Sequence, residues 1–338
     1  MSQPSQSFHS RSCAIPAAPD RRVVWLGLLA ALAAALTGSG WQIASRHGVT
    51  TTLGPLELAL LRYGLPALVL LPLLARTGLR PCGLARRHLA QMVVGGGLPF
   101  GLVVLAGAQW APASHMGMFM AGSVPLFTAL AAWRLEGEPM AHRRLAGLLL
   151  IVAGMVVFGA GSWQGAAGTW PGDLLFLLAA ALWALYTRAF RRSGLTPWAG
   201  AAVVNAWSAM LLLPLLAVFG APRLLSAPWR DLAWQAAGQG VMAGLLGLVF
   251  YMAAIARLGA ARASLSAALV PLMTALGAGL LLDEPLSGAA LAAVILAGAG
   301  VAWAASAAPP AGPAGLSRPC GDACPGSSCC GSRCRAPG

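Results

Sequence analysis

The 338-residue chain contains no lysine; all 22 of its basic residues are arginine. A phosphate-cradling GxxxxGK loop needs that lysine, as does a Schiff base to pyridoxal phosphate or retinal. ATP-driven pumping by this chain alone and both kinds of imine chemistry are therefore excluded. Charge of either sign is sparse, 9% of residues against about 25% in a soluble domain. Motifs of intramembrane enzymes are missing as well. HExxH and GxGD do not occur, and Thr37-Gly38-Ser39-Gly40 does not satisfy the GxSG pattern of a membrane serine protease. The candidate bases His115 and His142 map near membrane edges. No catalytic activity, cofactor or metal is expected, and the five cysteines from Cys320 to Cys334 have no standard zinc spacing.

Hydrophobic residues, in contrast, make up 58% of the chain. A bilayer core of ~30 Å needs about 20 apolar residues in helix, and ten such stretches lie between breaks of Arg, Pro and Gly. They fall near 23–44, 55–75, 88–110, 113–133, 144–160, 172–190, 198–219, 233–256, 263–282 and 287–305. The expected fold is an all-α integral membrane protein. Pro112 supplies the break between the third and fourth spans, because it starts a helix readily and disfavours helical geometry in the residue before it. The first apolar run, of about 22 residues, exceeds the h-region of a cleavable signal peptide and reads as a retained span.

Short cytoplasmic loops collect positive charge. With the N-terminus inside, this alternation leaves only Arg46, Arg223 and Arg230 outside, puts Arg62 within a span, and places the remaining eighteen arginines on the cytoplasmic face. The net charge of +13 is thus an orientation signal for a multi-pass protein of the inner (plasma) membrane with both termini cytoplasmic. It does not form a nucleic-acid surface. The partners expected are the lipid bilayer and a small-molecule substrate; whether two copies pair is left open.

Six of the nine acids, Glu57, Glu136, Glu138, Asp173, Asp283 and Glu284, map to span ends. No midplane carboxylate is left for a proton relay, so a facilitator or a substrate-driven exchanger fits the composition equally well.

The chain also repeats itself. Pro125 and Glu138 are spaced as Pro271 and Glu284 are, each Glu is followed by Pro, and the same offset carries Thr128 onto Thr274, Leu150 onto Leu296 and Gly154 onto Gly300. Five spans per half is an odd number, so the halves enter the membrane from opposite sides. Inverted repeats are a transporter signature, since two pseudo-symmetric halves can open one midplane site to either side in turn. A receptor or scaffold gains nothing from such an arrangement.

The segments PLFTALAAWRLEGE (125–138), followed by Gly147 and Gly154, and PLMTALGAGLLLDE (271–284), followed by Gly300, resemble the two EamA-type half-domains of the drug/metabolite transporter superfamily. Gly172-Asp173 leading to Trp183 resembles the opening of the second half, and Arg62 resembles an arginine common in the second helix. Gly147 departs from the pattern by aligning with Ala293. The resemblance implies ten helices in two five-helix repeats. It divides the chain into a cytoplasmic tail (1–22), a first repeat (23–160), a linker (161–171), a second repeat (172–305) and a Cys/Pro/Gly-rich tail (306–338), the last read as disordered. It further implies secondary transport, with export of amino acids or related metabolites, or alternatively efflux of toxic or drug-like compounds.

Ten of the twelve tryptophans, Trp41 among them, fall at headgroup level in these spans; Trp183 and Trp207 lie near mid-membrane and should face protein or a cavity. Tyr186 and Thr187 share Trp183's helical side, while Asn205 and Ser208 beside Trp207 could bind neighbouring helices. The resemblance, which implies a cavity between helices three, four, eight and nine with one and six beside them, adds Gln109, Gln239, Tyr251, Trp41 and Gln42 to Trp183 and Tyr186 as substrate contacts. Arg62, about 10 Å inside its helix at ~1.5 Å per residue, either snorkels or is a buried cation requiring a carboxylate from protein or substrate. Pro125 and Pro271 are candidate hinges. Glu138 and Glu284 are solvated helix ends or gating groups; Arg143 and Arg144 are near Glu138, and nothing comparable in sequence serves Glu284. Glycines dense in spans three and eight suggest matching close contacts in the two halves.

Overall fold

The computed structural model describes residues 21–163, 168–259 and 265–306. The N-terminal tail, part of the linker, Arg262 and the cysteine-rich tail lie outside the described residues. Among those described, every regular element is helical. The long helices are α1 (Arg21–Thr50), α2 (Pro55–Val69 and, after a bend, Leu71–Thr77), α3 (Arg86–Trp110), α4 (Ala113–Glu136), α5 (His142–Trp163), α6 (Trp170–Ser193), α7 (Pro197–Phe219), α8 (Trp229–Leu258), α9 (Leu265–Leu281) and α10 (Gly288–Ser306), with one short helix, Pro222–Ser226, between α7 and α8. Eight are long and apolar enough to cross a membrane, or nine if the arms of α2 make one crossing; α9 is shorter, at 17 residues. By length and composition, the ten crossings expected from sequence are thus eight or nine among the described residues.

Proline explains two of the breaks. The arms of α2 meet at 64°. Pro72 removes a donor there and disfavours helix before it, and Leu70 sits at φ −90°, ψ 4°. Ala111, next to Pro112, is extended at φ −131°, ψ 149°, which separates α3 from α4 as the sequence indicates. α1 differs from its expected span by running on to Thr50, because no proline or glycine pair stops it before Gly54-Pro55. Arg46 therefore belongs to a helix and not to an outer loop.

The repeat reappears as local geometry. Gly137 and Asp283 occupy equivalent positions and both adopt a left-handed conformation, at φ 68° and 53°. Each lets the following glutamate N–H reach back to a helix carbonyl, Glu138 to Ala132 and Glu284 to Ala278, both at 3.3 Å. Both helices thus end through a left-handed residue in the manner of a Schellman closure, one residue wider than its six-to-one bond.

Small residues set the helix contacts. A Cβ added at Gly147 would lie 2.6 Å from the Gly300 carbonyl oxygen, and one at Gly154 would lie 2.8 Å from that of Ala293, so α5 and α10 pack antiparallel with backbones nearly touching. The departure at Ala293 is accommodated because its partner Gly154 has no side chain. Gly95 and Gly107 of α3 bear on Tyr186 and Phe176 of α6, while Gly238 and Gly244 of α8 bear on Ala44 of α1 and Pro66 of α2. These glycines of spans three and eight make matching contacts with the opposite half, whereas Gly101 bears on Tyr63 of α2 in its own half. Gly147→Ala should cost about 1–3 kcal/mol, because its new methyl meets backbone that cannot move aside; Gly161→Ala, with nothing within 4 Å, should cost nothing. Thermal unfolding in detergent separates the two outcomes.

Candidate substrate cavity

A cavity of about 100 Å³ lies where the halves meet. α1 contributes Ala34, Thr37, Gly38, Trp41 and Gln42; α2, Arg62; α3, Phe100; α4, Met120, Ala121 and Val124; α6, Trp183; α8, Met242, Ala243, Gly247, Leu248 and Tyr251; and α9, Val270. Three helices reach it through turns widened to i→i+5 hydrogen bonding, at Leu60–Gly64, Met116–Ala121 and Ala236–Gly247. Such turns are rare and recur at functional sites because they rotate side chains off the regular helical face.

Five of the eight sequence-derived contacts line this cavity: Trp41, Gln42, Arg62, Trp183 and Tyr251. Two others stand directly behind. Gln239 accepts the Trp41 indole N–H at 2.8 Å and donates to Ser45 Oγ at 3.0 Å, fixing the ring. Tyr186 packs against Trp183 in a tilted arrangement with ring centres 4.9 Å apart, its own hydroxyl buried without a partner. Gln109 is exposed at the end of α3, where its backbone carbonyl accepts a long hydrogen bond from Arg46, and it does not face the cavity. Helical phase explains this correction, because the lining face of α3 is set by Phe100.

The aromatic wall is continuous. Trp183 lies 5.1 Å from Phe100 and 5.3 Å from Tyr251 between ring centres, and the Tyr251 hydroxyl meets Thr187 Oγ1 at 3.2 Å. Trp41, assigned by sequence to the headgroup belt as well as to the cavity, is buried. Trp207 is half-buried and donates to the Leu79 carbonyl between α2 and α3 at 2.8 Å. Its neighbours do bind other helices: Asn205 donates to Gly244 O of α8 at 2.8 Å, and Ser208 Oγ accepts from Leu98 N of α3 at 3.0 Å.

Arg62 does not snorkel. It is 2% exposed, its guanidinium carbon is 4.0 Å from the centre of the Trp41 ring, and its Nε and Nη1 are buried with no hydrogen-bond partner. No ion pair among the described residues includes it.

The two prolines differ locally. Pro125 opens the second part of α4 just after a break at Gly122-Ser123, whereas Pro271 lies inside the continuous α9. They flank one crossing, where a Cβ at Gly117 of α4 would lie 3.2 Å from Pro271 Cα. Each immediately follows or precedes the lining: Val124 and Val270 are their neighbours.

Ion pairs lie at both ends of α4. Glu284 accepts from Ala113 N at 2.9 Å, Ser114 N at 3.3 Å and Ser114 Oγ at 3.4 Å, while Arg46 approaches it at 3.7 Å and also donates to Ala108 O. This carboxylate therefore joins α9 to the positive N-terminal end of α4 and to α1 and α3. At the other end of α4, Glu136 pairs with Arg188 at 2.9 Å and Arg192 at 3.0 Å of α6. Glu138 is half-exposed, with Arg144 at 3.9 Å. Sequence reasoning missed Arg46, Glu136 and Arg188, yet a signal existed. Arg46 follows Trp41 by the same step as Arg188 follows Trp183.

Not every acid at a span end is solvated. Glu57 is buried and accepts from Arg223 N at 3.3 Å. Asp173 is buried against His115, Oδ1 to Nδ1 2.8 Å, tying the start of α6 to the start of α4.

The model of the EamA-like transporter family matches residues 25–160 and again 170–306. The chain belongs to that family. Its members are transporters and not enzymes, so this EamA-like protein is a multi-pass membrane transporter. A solved crystal structure, titled only as that of a protein, is similar with a TM-score of 0.59 at 24% identity, covering 82% of this chain and 96% of the other; it speaks to the fold alone. No curated protein matches the sequence.

Proposed function

We propose that this EamA-like transporter exports small organic solutes, amino acids or related metabolites, by alternating access between two five-helix halves of inverted orientation. The carrying observation is the cavity itself, lined by α1 to α4 of one half and α6, α8 and α9 of the other. A site shared in this way changes its opening when the halves rock against each other. Support for inversion comes from the pairing of equivalent helices: α4 meets α9 with Ala113 near Glu284 and Gly117 near Thr274, and α5 meets α10 with Gly147 near Gly300, both antiparallel. In this reading both termini are cytoplasmic, α2 is one bent crossing and α9 completes the ten. Glu284–Arg46 and Glu136–Arg188 are the ion pairs that exchange as the ends open and close.

Cavity size favours metabolites over drug-like compounds. About 100 Å³ is well below the ~300–1,000 Å³ of drug-sized ligand sites. No Asp or Glu lines the cavity, so substrate gradients drive the flux in this reading. Reconstituted protein should move members of an amino-acid and organic-acid panel across liposome membranes. Absence of flux for every member, in both directions, would remove the proposal. Metabolite profiling of overexpressing cells should show the transported class depleted inside.

A further inference from the structure

Resting on the transport reading, we infer that Arg62 is a carboxylate-binding subsite, and that the cavity takes small organic anions with an apolar body, prefers them to zwitterions of the same shape, and turns away cations. A guanidinium stays charged in proteins, and removing it from water is costly unless an anion or a full set of acceptors replaces the solvent. Arg62 has neither. Its Nε and Nη1 are buried and unpartnered, and what surrounds the group is aromatic: Trp41 at 4.0 Å, Tyr63 at 5.5 Å and Phe100 at 5.7 Å from the guanidinium carbon to the ring centres. Ring faces offset part of the cost but supply no in-plane acceptor. The neighbouring Tyr63 hydroxyl donates to Gly97 O at 2.5 Å and can accept from the Arg62 guanidinium, which leaves Nε and Nη1 as the unmet donors.

The remaining lining says what the anion carries. Apart from Arg62 its walls are apolar and aromatic, with Thr37, Gln42 and Tyr251 as polar side chains. Thr37 Oγ1 donates to Ala33 O at 2.8 Å, Gln42 Oε1 accepts from Thr274 Oγ1 at 2.9 Å, and the Tyr251 hydroxyl is engaged with Thr187. No acid is present to hold an ammonium group. A carboxylate satisfies the one unmet charge, an apolar body fills the rest, and an added ammonium gains no partner. A cation meets a resident cation in a medium of low dielectric, where like charges repel strongly.

Three probes of one shape separate these cases: 3-phenylpropionate, phenylalanine and 3-phenylpropylamine. With purified protein in detergent, 3-phenylpropionate should raise the unfolding temperature in a saturable way, phenylalanine should need at least about tenfold more for the same shift, and 3-phenylpropylamine should give none. Arg62→Gln should abolish the 3-phenylpropionate shift, and Arg62→Lys, which keeps the charge without the planar fork, should weaken it about tenfold. Ligand-free Arg62→Gln should unfold at a temperature no lower than the parent, since an uncompensated charge has been removed. If Arg62→Gln fails to fold, the ranking of the three probes on the parent protein decides. Equal binding of amine and acid, no binding of the acid, or an undiminished shift in Arg62→Gln overturns the inference. Flux assays keep the two readings apart: neutral solutes that move without acid selectivity defeat the subsite and leave transport standing, whereas acid binding with no flux of any solute does the reverse.

Discussion

Glu284→Gln slows solute flux by about tenfold or more and leaves the protein folded in the membrane. The carboxylate holds the N-terminal end of α4 through Ala113 and Ser114 and draws in Arg46. Hydrogen bonds to charged groups contribute about 1.5–3 kcal/mol each, and an amide retains only one acceptor oxygen and no charge. Losing the equivalent of one such bond, about 2 kcal/mol, shifts the balance between closed and open at that end roughly thirtyfold. Transport by alternating access needs both states, so the cycle stalls with this end open. Cysteine labelling reports the same shift directly. With native cysteines replaced by serine, a cysteine placed at Ala108, buried beside Arg46, should react with a membrane-impermeant maleimide faster in Glu284→Gln than in the parent. Unchanged flux together with unchanged labelling would show that Glu284 merely caps a helix.

The second large effect is expected at Trp183. Its ring contacts Phe100, Tyr186 and Tyr251, and such pairs contribute ~0.5–1.5 kcal/mol each beyond area burial. Removing all three in Trp183→Ala should lower flux at least about tenfold, since 1.4 kcal/mol is already a factor of ten. Trp183→Phe keeps most of the ring contacts and should lose far less. Yield in the membrane fraction should be normal for both, because the apolarity that drives insertion is spread over the whole of α6. Normal flux in Trp183→Ala would make this residue packing only and would displace the site.

How much of this was legible beforehand depends on the range of the interaction. The break at Pro112, the turns at Gly137 and Asp283 and the order of apolar segments follow from residues within one helical turn. Trp183 was singled out because an aromatic side chain away from the interface needs a protein environment, whereas Tyr251 and Trp41 came only from the family resemblance. Gln109 failed for a geometric reason: the polar residue lies on the outer face of α3, and composition alone carries no phase. The bend in α2 falls at Pro72, near the end of the expected span 55–75, where the sequence reading placed no break. The widened turns of α2, α4 and α8 leave no composition signal, because they depend on what packs against the helix.

By itself the sequence determined that the chain is a helical membrane protein, where its helices break and that its two halves repeat, because hydropathy, proline sterics and residue spacing are properties of the chain. Only the tertiary structure decided that Arg46 meets Glu284, that Gln239 holds Trp41 and that Arg62 is left without a carboxylate. Those facts depend on which faces of distant helices come together, and in a bilayer, where apolar surfaces gain little by leaving lipid, that choice rests on glycine contacts and on a few polar groups that must find each other.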